Sequence, residues 1–230
     1  MINSVRNTVL AVCNKNNYGY ISPSDFNLFA KQAQMDMFED YFYQYNYQIN
    51  KVNAHTTGSS YADLAENLLE VIDSFSVYAA LANVAANDFT LPADVYYVNR
   101  LQVKNLDIEK VSESKLMNLT NSLLTAPTEE FPAYIVRGNT ATIFPDTITS
   151  AVFCQYIRYP LAPKWTYVTL LNGEPQFDQT SADYQDFELP LSDEPMLTTK
   201  ILRYAGISIR EAEVVNAMNT METQENQQEL

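Results

Sequence analysis

ISPSDFNLFAKQAQMDMFEDYFYQYNYQIN (Ile21–Asn50) reads as one long helix. Ser22 is a good N-cap, Pro23 suits the first helical position, and Asp25 brings a negative charge to the positive end of the helix dipole. No glycine and no further proline interrupts the run, so roughly seven turns, about 40 Å, can form. At about 100° per residue, Phe38, Tyr41, Phe42 and Tyr45 share one broad face, while Tyr43 and Tyr47 point roughly the other way. A second aromatic surface on one helix needs a cover, either another subunit or a second domain of the same chain.

Outward from this helix the first third stays helical. Val5, Val9 and Val12 are spaced as a helix over Ser4–Cys13, and a turn follows at Asn16, Asn17 and Gly19. After a polar loop from His55 to Ser60, the residues Tyr61, Leu64, Ala65, Leu68 and Ile72 lie on one side of another helix. It is expected to fold back on the aromatic helix as an αα-hairpin.

Near Asp88 the pattern changes. VYYVNRLQV (Val95–Val103) is a strand by its β-branched and aromatic content. A short helix is expected over Lys115–Leu124, ended by Ala126 and Pro127. Four strand-like runs follow: Pro132–Gly138, Thr140–Pro145, Ala151–Pro160 and Lys164–Leu171. Gly138-Asn139 marks a hairpin turn, and prolines at strand ends suit antiparallel pairing. From Phe187 the pattern is helical again, with Ser192 as a cap, Gly206 as a stop and a second helix over Arg210–Met221. Glu222–Leu230 is polar and acidic and cannot bury enough surface to fold alone.

The expectation is an α+β protein. An N-terminal antiparallel helical hairpin (1–87) precedes a central antiparallel β-rich domain (88–186), C-terminal helices (187–221) and a flexible acidic tail (222–230).

The chain has 230 residues, 14 of them Lys or Arg and 28 Asp or Glu, for a formal charge of −14. That charge opposes tight nucleic-acid binding and suits a surface past which DNA moves without sticking. The most apolar window, Phe75–Ala86, is too short to span a bilayer, so no membrane partner is expected. MINSVRNTVL lacks the features of a signal peptide. Cys13 and Cys154 are then expected to be reduced thiols in a chain folded in a cytosol.

The chain contains one histidine, His55, and five glycines that form neither GxGxxG nor GxxxxGK[ST]. Clustered zinc ligands are absent from the sequence, and no GxSxG elbow accompanies the histidine. Glu129, Glu130, Asp183, Asp186 and Glu188 sit in turn-like contexts, so a hydrolase with a carboxylate site stays open as an alternative. NKNNYGYISPSD (Asn14–Asp25) mimics an EF-hand calcium loop, with Gly19 at its sixth position. However, its first ligand is a neutral Asn, its fifth a Tyr, and its last an Asp in place of the bidentate Glu. A degenerate calcium-binding module is the other alternative. Otherwise no catalytic, cofactor or metal residue is singled out. Arg6, Arg137, Arg158 and Arg203, each beside apolar neighbours, join Tyr43 and Tyr47 as candidates for subunit contacts.

NSVRNTVL (Asn3–Leu10), NKNNYGYISPSDFNLFAKQAQMDMFEDYF (Asn14–Phe42), YIRYPLAPKW (Tyr156–Trp165) and FELPLSDEPMLTTKILRYAGISIRE (Phe187–Glu211) together resemble structural proteins of crAss-like and related podoviruses of Bacteroidota hosts. The resemblance covers both ends and part of the middle of the chain. It implies a virion protein, not an enzyme: a subunit of a ring, typically dodecameric, in the head-to-tail connector of a bacteriophage. Its partners would be copies of itself, the portal protein and neighbouring tail rings, around the channel for genome and cargo ejection. It would be made in the host cytoplasm, need no cofactor, and let phage DNA pass without tight binding.

Overall fold

The computed structural model describes residues 1–15, 21–53, 64–122, 124–171, 173–209 and 220. The His55–Ser60 loop, Tyr61, the turn at Asn16, Asn17 and Gly19, and the tail 222–230 lie outside the described residues, as does the expected Arg210–Met221 helix apart from Thr220. The protein is α+β, with helices toward both ends and a large mixed sheet between them. It divides into two compact units, Met1–Leu68 with Pro160–Leu230, and Leu69–Tyr159. These divisions differ from the expected 87/88 and 186/187. The first of those falls inside a β-hairpin, and the second lies within the unit that gathers both chain ends.

Five helices are described: α1 (Ile2–Lys15), α2 (Pro23–Asn53), α3 (Leu64–Asp73), α4 (Glu113–Thr120) and α5 (Glu194–Ile209). At the start of α2 the Ser22 Oγ accepts the Asp25 N–H at 3.2 Å and donates to the Asp25 carboxylate at 2.6 Å, a cap that satisfies a terminal donor. α2 buries Phe26, Ala30, Ala33, Met37, Phe38 and Tyr41 at helical spacing. It packs on α5, which contributes Leu197, Ile201 and Ala205, and α1 packs on α5 as well. The main partner of α2 thus comes from the far end of the chain. α5 also runs through Gly206 in place of stopping there, and it starts after a 3-10 turn, Leu191–Asp193. A glycine weakens a helix by about 1 kcal/mol, too little to end one whose other residues are packed.

Between α2 and α5 runs a polar seam. The Lys200 ammonium donates to Asp40 at 2.8 Å, the Tyr204 hydroxyl donates to Asp36 at 2.5 Å, and the Tyr41 hydroxyl donates to Asp193. Lys200 is only 4% exposed, so the Asp40 carboxylate lies against a buried ammonium.

Trp165 ties the helices to the segment that returns from the sheet. Its backbone N–H donates to Asn27 Oδ1 at 2.8 Å, and Asn27 Nδ2 donates back to its carbonyl at 3.2 Å. Its indole N–H donates to Asn3 Oδ1 at 3.1 Å, and the Arg6 guanidinium lies 3.8 Å from the ring centroid. Gln34, buried on α2, performs a similar service: its amide donates to the Leu161 carbonyl at 2.8 Å and accepts the Glu188 N–H at 3.2 Å.

In the other unit eight strands form one sheet: β1 (Ser76–Ala80), β2 (Ala82–Ala85), β3 (Asp88–Thr90), β4 (Val95–Val103), β5 (Leu106–Lys110), β6 (Ala133–Arg137), β7 (Thr140–Phe144) and β8 (Val152–Arg158). Their order is β1-β8-β4-β5-β6-β7-β3-β2. The two end strands are halves of one stretch joined at Leu81, so the sheet curls back toward itself. Its inward residues, among them Leu81, Phe89, Leu101, Tyr134, Ile143 and Cys154, fill one core. The expected all-antiparallel pairing holds except at β5 and β6, which are parallel. They are joined by a crossover through α4, and a crossover returns the chain in the same direction. The hairpin at Gly138 forms as expected, with Gly138 at φ +59°, a region open to glycine. A separate two-stranded ribbon, β9 (Tyr167–Thr169) with β10 (Pro175–Phe177), belongs to the helical unit.

Replacing Asn27 with Ala removes both bonds to the Trp165 backbone, and a loss of about 1–3 kcal/mol is expected in urea unfolding. Replacing Asp40 with Ala should cost about 2–4 kcal/mol, because the buried Lys200 loses its carboxylate, and the double variant D40A/K200M should recover most of it.

Candidate interaction surface

The residues singled out by sequence fall in different settings. Tyr43 stands out from α2 at 71% exposure. Tyr47 is half-buried, with the Lys51 ammonium 4.8 Å from its ring centroid. On the second aromatic face of α2, Tyr43 is thus the more exposed ring, and the Lys51 ammonium on the next turn lies over Tyr47. Arg6 is only 5% exposed, and its guanidinium lies over the Trp165 ring within its own unit. Arg137 is exposed and pairs with Glu113 at 2.5 Å, a surface ion pair of small energetic weight. Arg158 is half-exposed and donates to the Tyr159 carbonyl at 3.1 Å. Arg203 is half-buried on α5. Arg6 and Arg203 belong to the helical unit, Arg137 and Arg158 to the sheet unit.

Of the five carboxylates considered for acid–base work, Glu129 and Glu130 are exposed, and Asp183, Asp186 and Glu188 have structural partners. Asp183 accepts from Lys164 at 2.7 Å, which holds its carboxyl below the usual range. Glu188 accepts the Leu161 N–H at 2.8 Å. Asp186 accepts the Met1 ammonium at 3.0 Å and the Ile2 N–H at 2.7 Å. Burial pushes its carboxyl up, but those donors and the Phe187 N–H outweigh burial and leave it below the ordinary value. The carboxylate of Asp25, the last ligand position of the calcium-like loop, accepts the hydroxyl of Ser22, the residue that caps α2. Both thiols are free and buried, and burial pushes Cys154 up to about 11, where a thiolate nucleophile is scarce at neutral pH. Among the described residues no group of three or more His, Cys, Asp or Glu is placed to hold a metal ion, and no helix is long and apolar enough to cross a membrane.

What the surface does offer is apolar strand. On the ribbon, Val168, Leu170 and Leu171 are exposed, while Tyr167 and Phe177 stack on Trp165 with centroids 5.5 and 5.9 Å away. Ring stacking on one face thus fixes the ribbon and leaves the Val168 face in water. In the sheet unit, Tyr78 and Val84 are exposed on the two end strands. The Tyr78 ring stacks on Phe153 at 5.3 Å, and its hydroxyl donates to Gln102 at 3.3 Å. No charged residue occurs between Asp73 and Asp88, in a chain of net charge −14. Exposed, uncharged, proline-free strand is what proteins ordinarily avoid at a sheet edge unless something pairs with it. The window Phe75–Ala86 carried this signal in the sequence, as an absence of charge rather than as hydrophobic length. Val168 and Leu171 gave no such signal, since the same letters read equally well as an inner strand.

Compared with known proteins, the chain matches no family model and no curated protein sequence.

The stability supplied by Asp186 has a definite pH sign. Its folded-state carboxyl titrates below the unfolded value of about 3.9, so the contribution is complete above about pH 4 and lost as pH falls through the folded value. The difference in thermal midpoint between the native protein and Asp186→Asn should therefore be largest near neutrality and shrink below pH 4.

Proposed function

We propose that this chain is a virion structural protein, a subunit of a multimeric ring in the head-to-tail connector of a phage. One observation carries the reading. The separated segments that resemble podoviral structural proteins are brought together in space at Trp165. Asn3 and Arg6 come from the first, Asn27 from the second and Trp165 itself from the third, while Asp40 and Lys200 join the second to the fourth. Apart from Tyr156–Tyr159, the resembling segments belong to one unit, and that co-location is what supports the reading.

The charge and the surface fit the same role. A ring subunit needs lateral and axial contacts, for which exposed, uncharged strand is suited, and head-to-tail repetition closes when the rotation between neighbours closes. Acidic groups facing a channel would keep a passing DNA backbone from sticking. The ring is expected to be dodecameric and to stack with the portal and adjacent tail proteins. Its chemistry is assembly, with no catalytic step and no cofactor.

Mass photometry and negative-stain imaging of the purified chain, alone and mixed with its portal and neighbouring tail proteins, test this reading. Rings or ring-bearing complexes are expected in the mixture. A chain that stays monomeric with every neighbour and is absent from purified particles would refute it.

A further inference from the structure

We infer that neighbouring copies join by strand addition, with β9 of one copy pairing along the open side of β1 in the next. The inference rests on the ring reading above and specifies its lateral contact.

The hydrogen-bond register identifies the open groups. The Leu81 N–H donates to the Val152 carbonyl at 2.9 Å, and the Arg158 N–H donates to the Phe75 carbonyl at 3.1 Å. These bonds flank β1 and assign its odd-numbered residues to bonding with β8. The N–H and C=O groups of Ser76, Tyr78 and Ala80 consequently point away from β8. Among the described residues no strand pairs with that side. Perpendicular to that edge, Val77 and Ala79 pack toward the core, while Tyr78 and Ala80 are exposed.

The same reasoning selects β9 as the strand to be added. The Asp178 N–H donates to the Thr166 carbonyl at 3.0 Å and the Leu170 N–H to the Glu174 carbonyl at 2.9 Å, so even-numbered residues of β9 bond to β10. Tyr167 and Thr169 turn their backbone groups outward. β10 is a poor alternative, because its outward position opposite Thr169 is Pro175, which has no N–H. Of the ribbon's two outer sides, only that of β9 is free of proline.

Charge decides why the partner is another copy. Two chains of −14 repel unless they meet where charge is absent, and neither β1 nor β9 contains a charged residue. Because the two edges differ, every copy offers one of each and the contact is head-to-tail, the arrangement a ring requires. Pairing of like edges would instead give a two-fold dimer. The strands are short, so one contact is weak and ring closure makes the set cooperative.

Proline scanning and mixed cross-linking test the inference. Tyr78→Pro and Thr169→Pro remove an outward N–H without touching a backbone bond inside the subunit, and each should weaken assembly by about tenfold or more, whereas Tyr78→Val and Thr169→Val, which keep the N–H, should change it by less than about threefold. The Pro and Val variants at Tyr78 lose the same ring and hydroxyl contacts to Phe153 and Gln102, so their difference reads the N–H alone. Equal losses in the Pro and Val variants would overturn strand pairing. Single cysteines at Ser76, Tyr78 or Ala80 in one preparation, mixed under oxidation with single cysteines at Tyr167 or Thr169 in another, should yield a disulfide-linked heterodimer. The native thiols are buried and supply no background. The cysteine sites at Tyr78, Ala80, Tyr167 and Thr169 are exposed, which keeps the test decisive even if a Pro variant fails to fold. Links only between like variants, or no links, would overturn the proposal. If wild-type rings still form on the portal in that case, only the strand contact falls; if no assembly forms at all, the ring reading falls with it.

Discussion

Trp165 is held by contacts that come from residues far apart in the chain. Asn27 reproduces, with one amide side chain, the paired bonds a strand neighbour would make to a backbone. Asn3 takes the indole N–H and Arg6 covers a ring face. A buried indole needs its donor satisfied, and a buried guanidinium needs a polarizable or charged surface. The indole donor is satisfied by Asn3, and the Arg6 guanidinium lies over the ring face, with its Nε buried and without a hydrogen bond. The remaining ring contacts, Tyr167 and Phe177, fix the ribbon on the same indole. The position of the first helix, the entry of the second and the base of the ribbon therefore share one anchor.

The unit around it shows how polar groups can define a packing arrangement that apolar groups alone would leave degenerate. The stripe on α2 could in principle meet any apolar helix. Asp36, Asp40 and Tyr41 select α5 by register, because Tyr204, Lys200 and Asp193 must each arrive opposite a partner. A shift of one turn would leave Lys200 buried without its carboxylate, and the energetic cost of that is larger than the gain from most single apolar contacts. Gln34 and Asp186 extend the same logic to the irregular segments between the ribbon and α5.

The sheet unit differs: its core is apolar, and its two end strands carry no charge. Leu81 passes the chain from pairing with β8 to pairing with β3, so each half of the stretch 76–85 is paired on one side. Strand ends of this kind are ordinarily blunted by charge or proline, as β10 is by Pro175. The lack of such protection on β1 and β9 gives the proposed assembly its directionality, while the acidic remainder discourages contacts elsewhere. A ring built this way would associate through a few backbone bonds per interface and gain its persistence from closure.

Much of the local structure was legible from residue pattern alone. Ser22, Pro23 and Asp25 announced the start of α2, Val95–Val103 is β4 as its β-branched content predicts, and Gly138 marks the hairpin, because caps, strand propensity and left-handed turns depend on neighbours a few residues away. The absence of glycine-rich phosphate motifs and of clustered zinc ligands was also readable, since those are spacings along the chain. What the letters could not decide was which surface covers which. Arg6 looked like an outward charge because nothing in MINSVRNTVL reveals Trp165 far downstream, and α5 rather than the next helix became the partner of α2 for the same reason. Whether β1 and β9 are inner or edge strands depends on who pairs with them, and pairing is a property of the folded chain.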